Sequence, residues 1–283
     1  MKTVMDRRAL VLGGGGVTGI AWETGLIAGL GGLGIDLAAA DVIIGTSAGS
    51  VVGADLASGQ DLEALYQAQL APPDPEPGAR IDWGLIGRLL WDMTTSQDPK
   101  RARVRIGRWA LAAPTMPEAD WRKVFQDRLP VGTWPSRALR VTAVDAQTGE
   151  LAVFDAASGA DLADAVSASC AVPGVWPPVT IGDRRFMDGG MRTLANADLA
   201  RRYERVVIVA PLAAGIGHMV SPRRQAAALS AAGARVALVQ PDRAARHAIG
   251  RNVLDVSRRA AAARAGRAQA AVEAPAVRAV WRA

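Results

Sequence analysis

At 283 residues, 50% of them hydrophobic, the chain is long enough to bury one large α/β core with a modest appendage. The single cysteine, Cys170, excludes an intramolecular disulfide, and no run approaches the ~18 uninterrupted apolar residues of a membrane span. The net charge of +6 conceals an asymmetry: residues 222–283 hold twelve arginines against three acids, and the remainder is slightly acidic.

In chain order, Arg7 and Arg8 precede an apolar stretch as in a signal peptide, but four glycines and Glu23 interrupt it, so it reads as mature protein. Ala9 to Leu12 is a short buried strand, Gly13 to Gly16 its turn, and Ile20 to Leu30 a helix. Val42 to Gly45 forms a second strand that leads into Ser47 and a helix through Ala57. Asp61 to Leu70 reads as helical. At Ala71-Pro72-Pro73 the composition changes, opening a segment that contains Trp83, Trp91, Trp109, Trp121 and Trp134. Strand signals resume at Leu139 to Val144 and Leu151 to Phe154, joined by a turn around Gln147-Thr148-Gly149. A helix over Asp161 to Cys170, a proline-rich loop and a hairpin from Val179 to Met187 follow, then strands at Arg205 to Val209 and Arg235 to Val239. Strands alternating with helices predict a largely parallel central sheet with helices on both faces.

Three short stretches carry chemistry. Gly45-Thr46-Ser47-Ala48-Gly49, between a strand and a helix, has the form of a nucleophile elbow, whose small flanking residues permit a tight turn that exposes the serine hydroxyl. Gly14, Gly15, Gly16 and Gly19 surround a strand-to-helix turn where backbone N–H groups can meet an anion without intervening side chains. Asp188-Gly189-Gly190 places a carboxylate at the end of a hairpin strand. In this order the trio resembles the patatin-like phospholipase family of serine acyl hydrolases. The resemblance implies a three-layer α/β sandwich, Ser47 as nucleophile, Asp188 as base without a histidine, and Gly14, Gly15 and Gly16 as the oxyanion loop, with Gly19, Gly45, Gly49, Gly189 and Gly190 supporting these turns. It also implies a lipid or ester substrate and no cofactor. One departure is plain: Thr18 stands where the family carries Lys or Arg.

Two rivals use the same residues. Gly14-x-Gly16-x-x-Gly19 also fits a dinucleotide fingerprint with Asp36 or Asp41 as the ribose acid, but that acid belongs at the end of the second strand and Asp41 starts it. A Ser-His-Asp arrangement would recruit His218 or His247, and a catalytically weak membrane-binding module, suggested by Thr18 and the basic end, is the remaining alternative. The expected organisation is a single domain over 1–283, with a core at about 8–211, an insertion at about 72–135 and a basic helical segment at about 222–283. In that last segment Ile249, Val253, Val256 and Ala260 recur at helical spacing, which predicts an amphipathic basic helix. Its ordinary role is a solvated face; contact with anionic membrane is the functional alternative. The insertion reads as a membrane-facing lid or as a helical subdomain packed inward. No metal cluster with ligand spacing and no nucleic-acid motif is found in the sequence, and the expected location is cytoplasmic, with peripheral membrane contact.

Overall fold

A computed structural model describes residues 6–72, 83–96, 98–129, 132–215, 217 and 219–282. Its strands come from the short, apolar, β-branched runs, bounded by turn residues, that favour extended chain: β1 (Arg8–Leu12), β2 (Val42–Thr46), β3 (Leu139–Asp145), β4 (Leu151–Phe154), β5 (Val179–Ile181), β6 (Arg184–Asp188), β7 (Arg205–Val209) and β8 (Arg235–Val239). They form one sheet in the order β5-β6-β3-β2-β1-β7-β8, with β4 also on β3. From β3 to β8 the neighbours are parallel. The pairs β3–β4, β3–β6 and β5–β6 are antiparallel.

The register on β3 positions the site. β4 occupies one edge of β3 from Val141 to Val144. An edge pairs with one strand at a time, so the strands that overlap this stretch must lie on the other edge. Those are β2, which pairs from Leu139 to Thr142, and β6, which pairs from Ala143 to Asp145. β2 therefore stops where β6 begins, and the two strand ends meet at consecutive β3 residues.

The helices are α1 (Gly16–Gly32), α2 (Ala48–Ala57), α3 (Leu62–Leu70), α4 (Trp83–Thr95), α5 (Pro99–Ala112), α6 (Glu118–Arg128), α7 (Leu162–Ser169), α8 (Pro222–Ala231), α9 (Arg243–Ile249) and α10 (Arg259–Trp281). Alternate strand residues face opposite layers. Leu10, Leu12 and Ile43 join a core built with α1, α2, α7 and α10. Ala9, Val11, Val42 and Ile44 join a second, with Leu229 of α8. This is the three-layer arrangement expected from the sequence.

The C-terminal segment departs from the expected continuous amphipathic helix. α9 ends at Gly250, whose φ of +76° favours glycine, and a turn with a short 3₁₀ stretch at Val256–Arg258 precedes α10. Ile249, Val253, Val256 and Ala260 thus do not share one helix. Nor is α10 merely a solvated face: it buries Ala262, Ala263, Gly266, Gln269, Ala270, Ala274, Val277 and Trp281. Small residues let it approach α1 closely, and a Cβ on Gly25 would lie 2.0 Å from the Ala263 carbonyl oxygen. Trp22 Nε1 donates to Gln269 Oε1 across the same contact. The arginines of this region cover the rim, Arg259 donating to the Ala71 carbonyl, Arg278 to that of Leu33 and Arg267 pairing with Glu63.

The insertion packs largely inward. Trp121 is buried, stacks on Trp176 at 4.2 Å between centroids and donates to the Ser167 carbonyl. Trp134 donates to the Ala160 carbonyl and Trp109 to Asp92. Trp91 points the other way and is 66% exposed. Of the residues Trp83, Ile86, Leu89 and Leu90, which lie near one helical face in the lid reading, Leu89 is buried with Met93 and Ile106, and the side chains of the other three lie outside the described residues.

Candidate active site

Ser47 sits at the turn between β2 and α2 with φ 51° and ψ −118°, a conformation sparsely populated by L-residues and characteristic of a strained elbow. The flanking glycines are sterically required: a Cβ on Gly45 would lie 2.5 Å from Ser50 Cα, and one on Gly49 would lie 2.2 Å from the Leu12 carbonyl oxygen. Ser47 N–H donates to Ser169 Oγ at 2.8 Å, and Ser50 Oγ donates to the Ser47 carbonyl at 2.6 Å. Ser47 itself is 7% exposed.

Asp188 ends β6 opposite Ala143, one residue beyond the Thr142 that pairs with Thr46. Its N–H donates to the Ala171 carbonyl and its Oδ1 accepts from Gly190 N–H at 2.7 Å. Burial pushes the carboxyl up to about 6, while hydrogen bonds from the Ser47 hydroxyl and the Gly190 N–H favour the ionised form. Gly189 permits the close approach of this loop, because a Cβ there would lie 2.4 Å from the Thr142 carbonyl oxygen.

The glycine loop lies beside both. Gly14 faces Ser47, where a Cβ would sit 3.6 Å from Ser47 Cβ. Its N–H is committed to the Leu194 carbonyl at 2.7 Å, which separates it from the other two glycines assigned to this loop. Among the described residues, the N–H groups of Gly15, Gly16 and Ala48 have no hydrogen-bond partner. They stand at the N-termini of α1 and α2, where unpaired donors and the helix dipole favour an anion. Gly19 N–H closes on the Gly15 carbonyl. Thr18 ties the loop down: both its N–H and its Oγ1 donate to the Val253 carbonyl, at 3.0 and 3.2 Å.

Four further residues belong to this neighbourhood. Asn196, fully buried at φ 48°, donates through Nδ2 to Thr46 Oγ1, Thr142 Oγ1 and the Gly189 carbonyl, so one amide bridges β2, β3 and the Asp188 loop. Nothing in the flanking Ala195 and Ala197 signals this. Ser169 ends α7 and Cys170 follows it; the thiol, 3.8 Å from Ser50 Oγ, is pushed up to about 12 by burial and then by the Asp188 charge, which leaves it unreactive. Glu23, read from sequence as an interrupting charge, is fully buried, and desolvation holds it uncharged well above the usual carboxylate range. It accepts from Gly13 N–H.

The residues of the rival readings are placed elsewhere. Asp41 accepts from Arg8 N–H at the start of β2, and Asp36 caps a short 3₁₀ turn. His247 is exposed on α9, and His218 lies outside the described residues. The family model described as patatin-like phospholipase matches residues 10–201. No curated protein matches the chain. Among solved structures, VipD from Legionella pneumophila is 15% identical over 72% of this chain and 50% of its own, with a TM-score of 0.40. The type III effector protein ExoU is 17% identical over 98% of this chain and 54% of its own, with a TM-score of 0.43. The chain spans about half the length of each of these two. By the extent of the family match, which covers both the elbow and the Asp188 loop, the chain belongs to the patatin-like phospholipase family.

Proposed function

We propose that the protein hydrolyses carboxylic ester bonds of lipids, as a phospholipase A or lysophospholipase, through a Ser47–Asp188 dyad. The observation that carries this reading is the shared β3 edge, which brings the elbow serine and a buried carboxylate to adjacent positions. A carboxyl raised to about 6 is ionised at neutral pH yet more basic than an exposed one, the balance a general base needs. Asp188 takes the Ser47 proton as Oγ attacks the ester carbonyl carbon. The oxygen that becomes negative is met by the N–H groups of Gly15, Gly16 and Ala48, which need no reorganisation. Collapse breaks the bond to the leaving alcohol, which receives the proton from Asp188. Water then gives Asp188 a proton as its oxygen attacks the acyl carbonyl carbon, and collapse breaks the bond to Ser47 Oγ, which takes that proton back from Asp188 as the carboxylic acid leaves.

The insertion is the proposed membrane-facing element. On α4 the exposed positions Gly84, Gly87, Arg88 and Trp91 fall on one face, and tryptophan beside arginine suits the interfacial zone of an anionic bilayer. Among the described residues, no helix is long and apolar enough to cross a membrane.

A fluorophosphonate probe followed by peptide mapping tests the nucleophile. Label is expected on Ser47 alone, and Ser47→Ala is expected to lose at least ~10³-fold in turnover of a short-chain ester. Label on another serine would overturn the assignment.

A further inference from the structure

Arg192 and Asn196 lie on the loop that leaves Asp188, and no step of the proposed hydrolysis uses either. The Arg192 guanidinium, partly exposed, meets the two oxygens of Asp198 at 2.7 and 2.9 Å and Asn196 Oδ1 at 2.8 Å. A guanidinium only donates, so the amide oxygen of Asn196 faces it and the amide nitrogen faces away. Thr193 Oγ1 adds a second donor to the same oxygen at 3.2 Å. With the amide reversed, its nitrogen would meet the guanidinium and its oxygen would meet backbone carbonyls, both repulsive. Arg192, itself held by Asp198, thus decides which way a fully buried amide points.

The nitrogen of that amide meets four acceptors: Thr46 Oγ1 and the Thr193 carbonyl at 3.1 Å, the Gly189 carbonyl at 3.2 Å and Thr142 Oγ1 at 3.3 Å. Two of these groups adjoin the dyad. Thr46 precedes Ser47, and Gly189 follows Asp188. The link continues through hydroxyls: with Thr142 donating to the Gly45 carbonyl at 3.2 Å, Thr46 Oγ1 donates to Thr142 Oγ1 at 2.8 Å. Thr46 and Thr142 are as fully buried as Asn196, so these donors and acceptors satisfy one another, and a broken link leaves a buried polar group unpaired.

We propose that Arg192 and Asn196 are positioning residues for the ester hydrolysis: Arg192 orients the Asn196 amide, and the amide holds the elbow of Ser47 and the loop of Asp188 at reacting distance. The inference rests on the Ser47–Asp188 reading. Neither side chain is placed against substrate, so the loss on removing either falls on kcat rather than on KM.

The test measures turnover of a soluble short-chain ester by the full chain, with Ser47→Ala and Asp188→Asn alongside. Asn196→Gly removes the amide and suits the left-handed backbone at φ 48°. It is expected to lower kcat by ~10²-fold, the scale of a small misplacement of reacting groups, with KM changed by less than about threefold. Should it fail to fold, Asn196→Asp, which keeps the shape and the Arg192 contact but loses both N–H donors, takes its place with the same expected loss. Arg192→Met should lower kcat by about tenfold while cooperative unfolding is retained. Added to Asn196→Gly or Asn196→Asp, it should cost less than about a further twofold, because its route through the amide is already gone. A pair that merely stabilised the fold would move the unfolding midpoint without this non-additive loss in kcat. Wild-type kcat in folded Asn196 or Arg192 variants, losses that multiply in the double variant, or a raised KM at unchanged kcat would overturn the proposal while leaving the dyad in place. Full turnover by Ser47→Ala or Asp188→Asn would overturn the dyad reading and this inference with it.

Discussion

At the scale of single residues, Asp188 sets basicity against stability. Its folded-state carboxyl, raised from 3.8 to about 6, holds its proton more tightly than in the unfolded chain. The folded state is therefore favoured below 3.8, and that advantage is lost as pH rises through about 6. The shift corresponds to roughly 3 kcal/mol carried as a penalty at neutral pH. Asp188→Asn, which keeps an acceptor for Gly190 N–H and never ionises, should cost at least ~10²-fold in kcat. It should also raise the unfolding free energy relative to the wild type by an amount that grows from acid to neutral pH; urea unfolding across that range checks it. The wild-type kcat/KM should climb with pH through about 6 and then level, the proton leaving the base. A fall in stability of Asp188→Asn at neutral pH would show that the carboxylate is held by more than these partners.

Single elements divide by how local their causes are. The β2 turn into α2 is legible in sequence because Gly45, Ser47 and Gly49 lie within five residues and their steric demands are mutual. The hairpin that ends at Asp188 is legible for the same reason. The bridge made by Asn196 is not: its Nδ2 reaches Thr46 from 150 residues away, a contact decided by strand register rather than by neighbours. The alanine- and arginine-rich end misled for a related reason. Alanine looks unremarkable on a helical wheel, and its value lies in the small surface that another helix, rich in glycine, can approach. This contact yields a paired test. Gly25→Ala would press against the Ala263 carbonyl and should destabilise by about 3 kcal/mol or more. Gly32→Ala, on the same helix with nothing within 4 Å, should be neutral or stabilise by up to about 1 kcal/mol. Thermal unfolding of the two variants checks the difference.

For the molecule as a whole, the charge asymmetry is not a detachable tail. α10 contributes to the main core and lies along α1, so a chain cut before Gly250 would expose the apolar faces of both the sheet helices and α1. Such a truncation is expected to lose cooperative unfolding, with helical circular dichroism outlasting fixed aromatic signals. Membrane attraction is better probed without deletion. Trp91→Ala removes an exposed ring and should reduce sedimentation with anionic vesicles in high salt, where the charge attraction is screened over ~3 Å at 1 M and ring insertion carries the remainder. Turnover of a soluble ester should be unchanged. Undiminished sedimentation at high salt would assign the contact to another surface.

The hydrogen bonds from Thr18 to the Val253 carbonyl span 235 residues. During synthesis, the glycine loop emerges from the ribosome early, gains its bonds to Leu194 and Val209 later, and lacks the Thr18 tether until Val253 has followed. A nascent chain would thus carry its elbow serine for most of translation beside a glycine loop whose last tether is still missing. Closure of the loop by Thr18, rather than appearance of Ser47, is then the step that completes the proposed anion site, so any acyl transfer at Ser47 should arise only after residues near Val253 have folded.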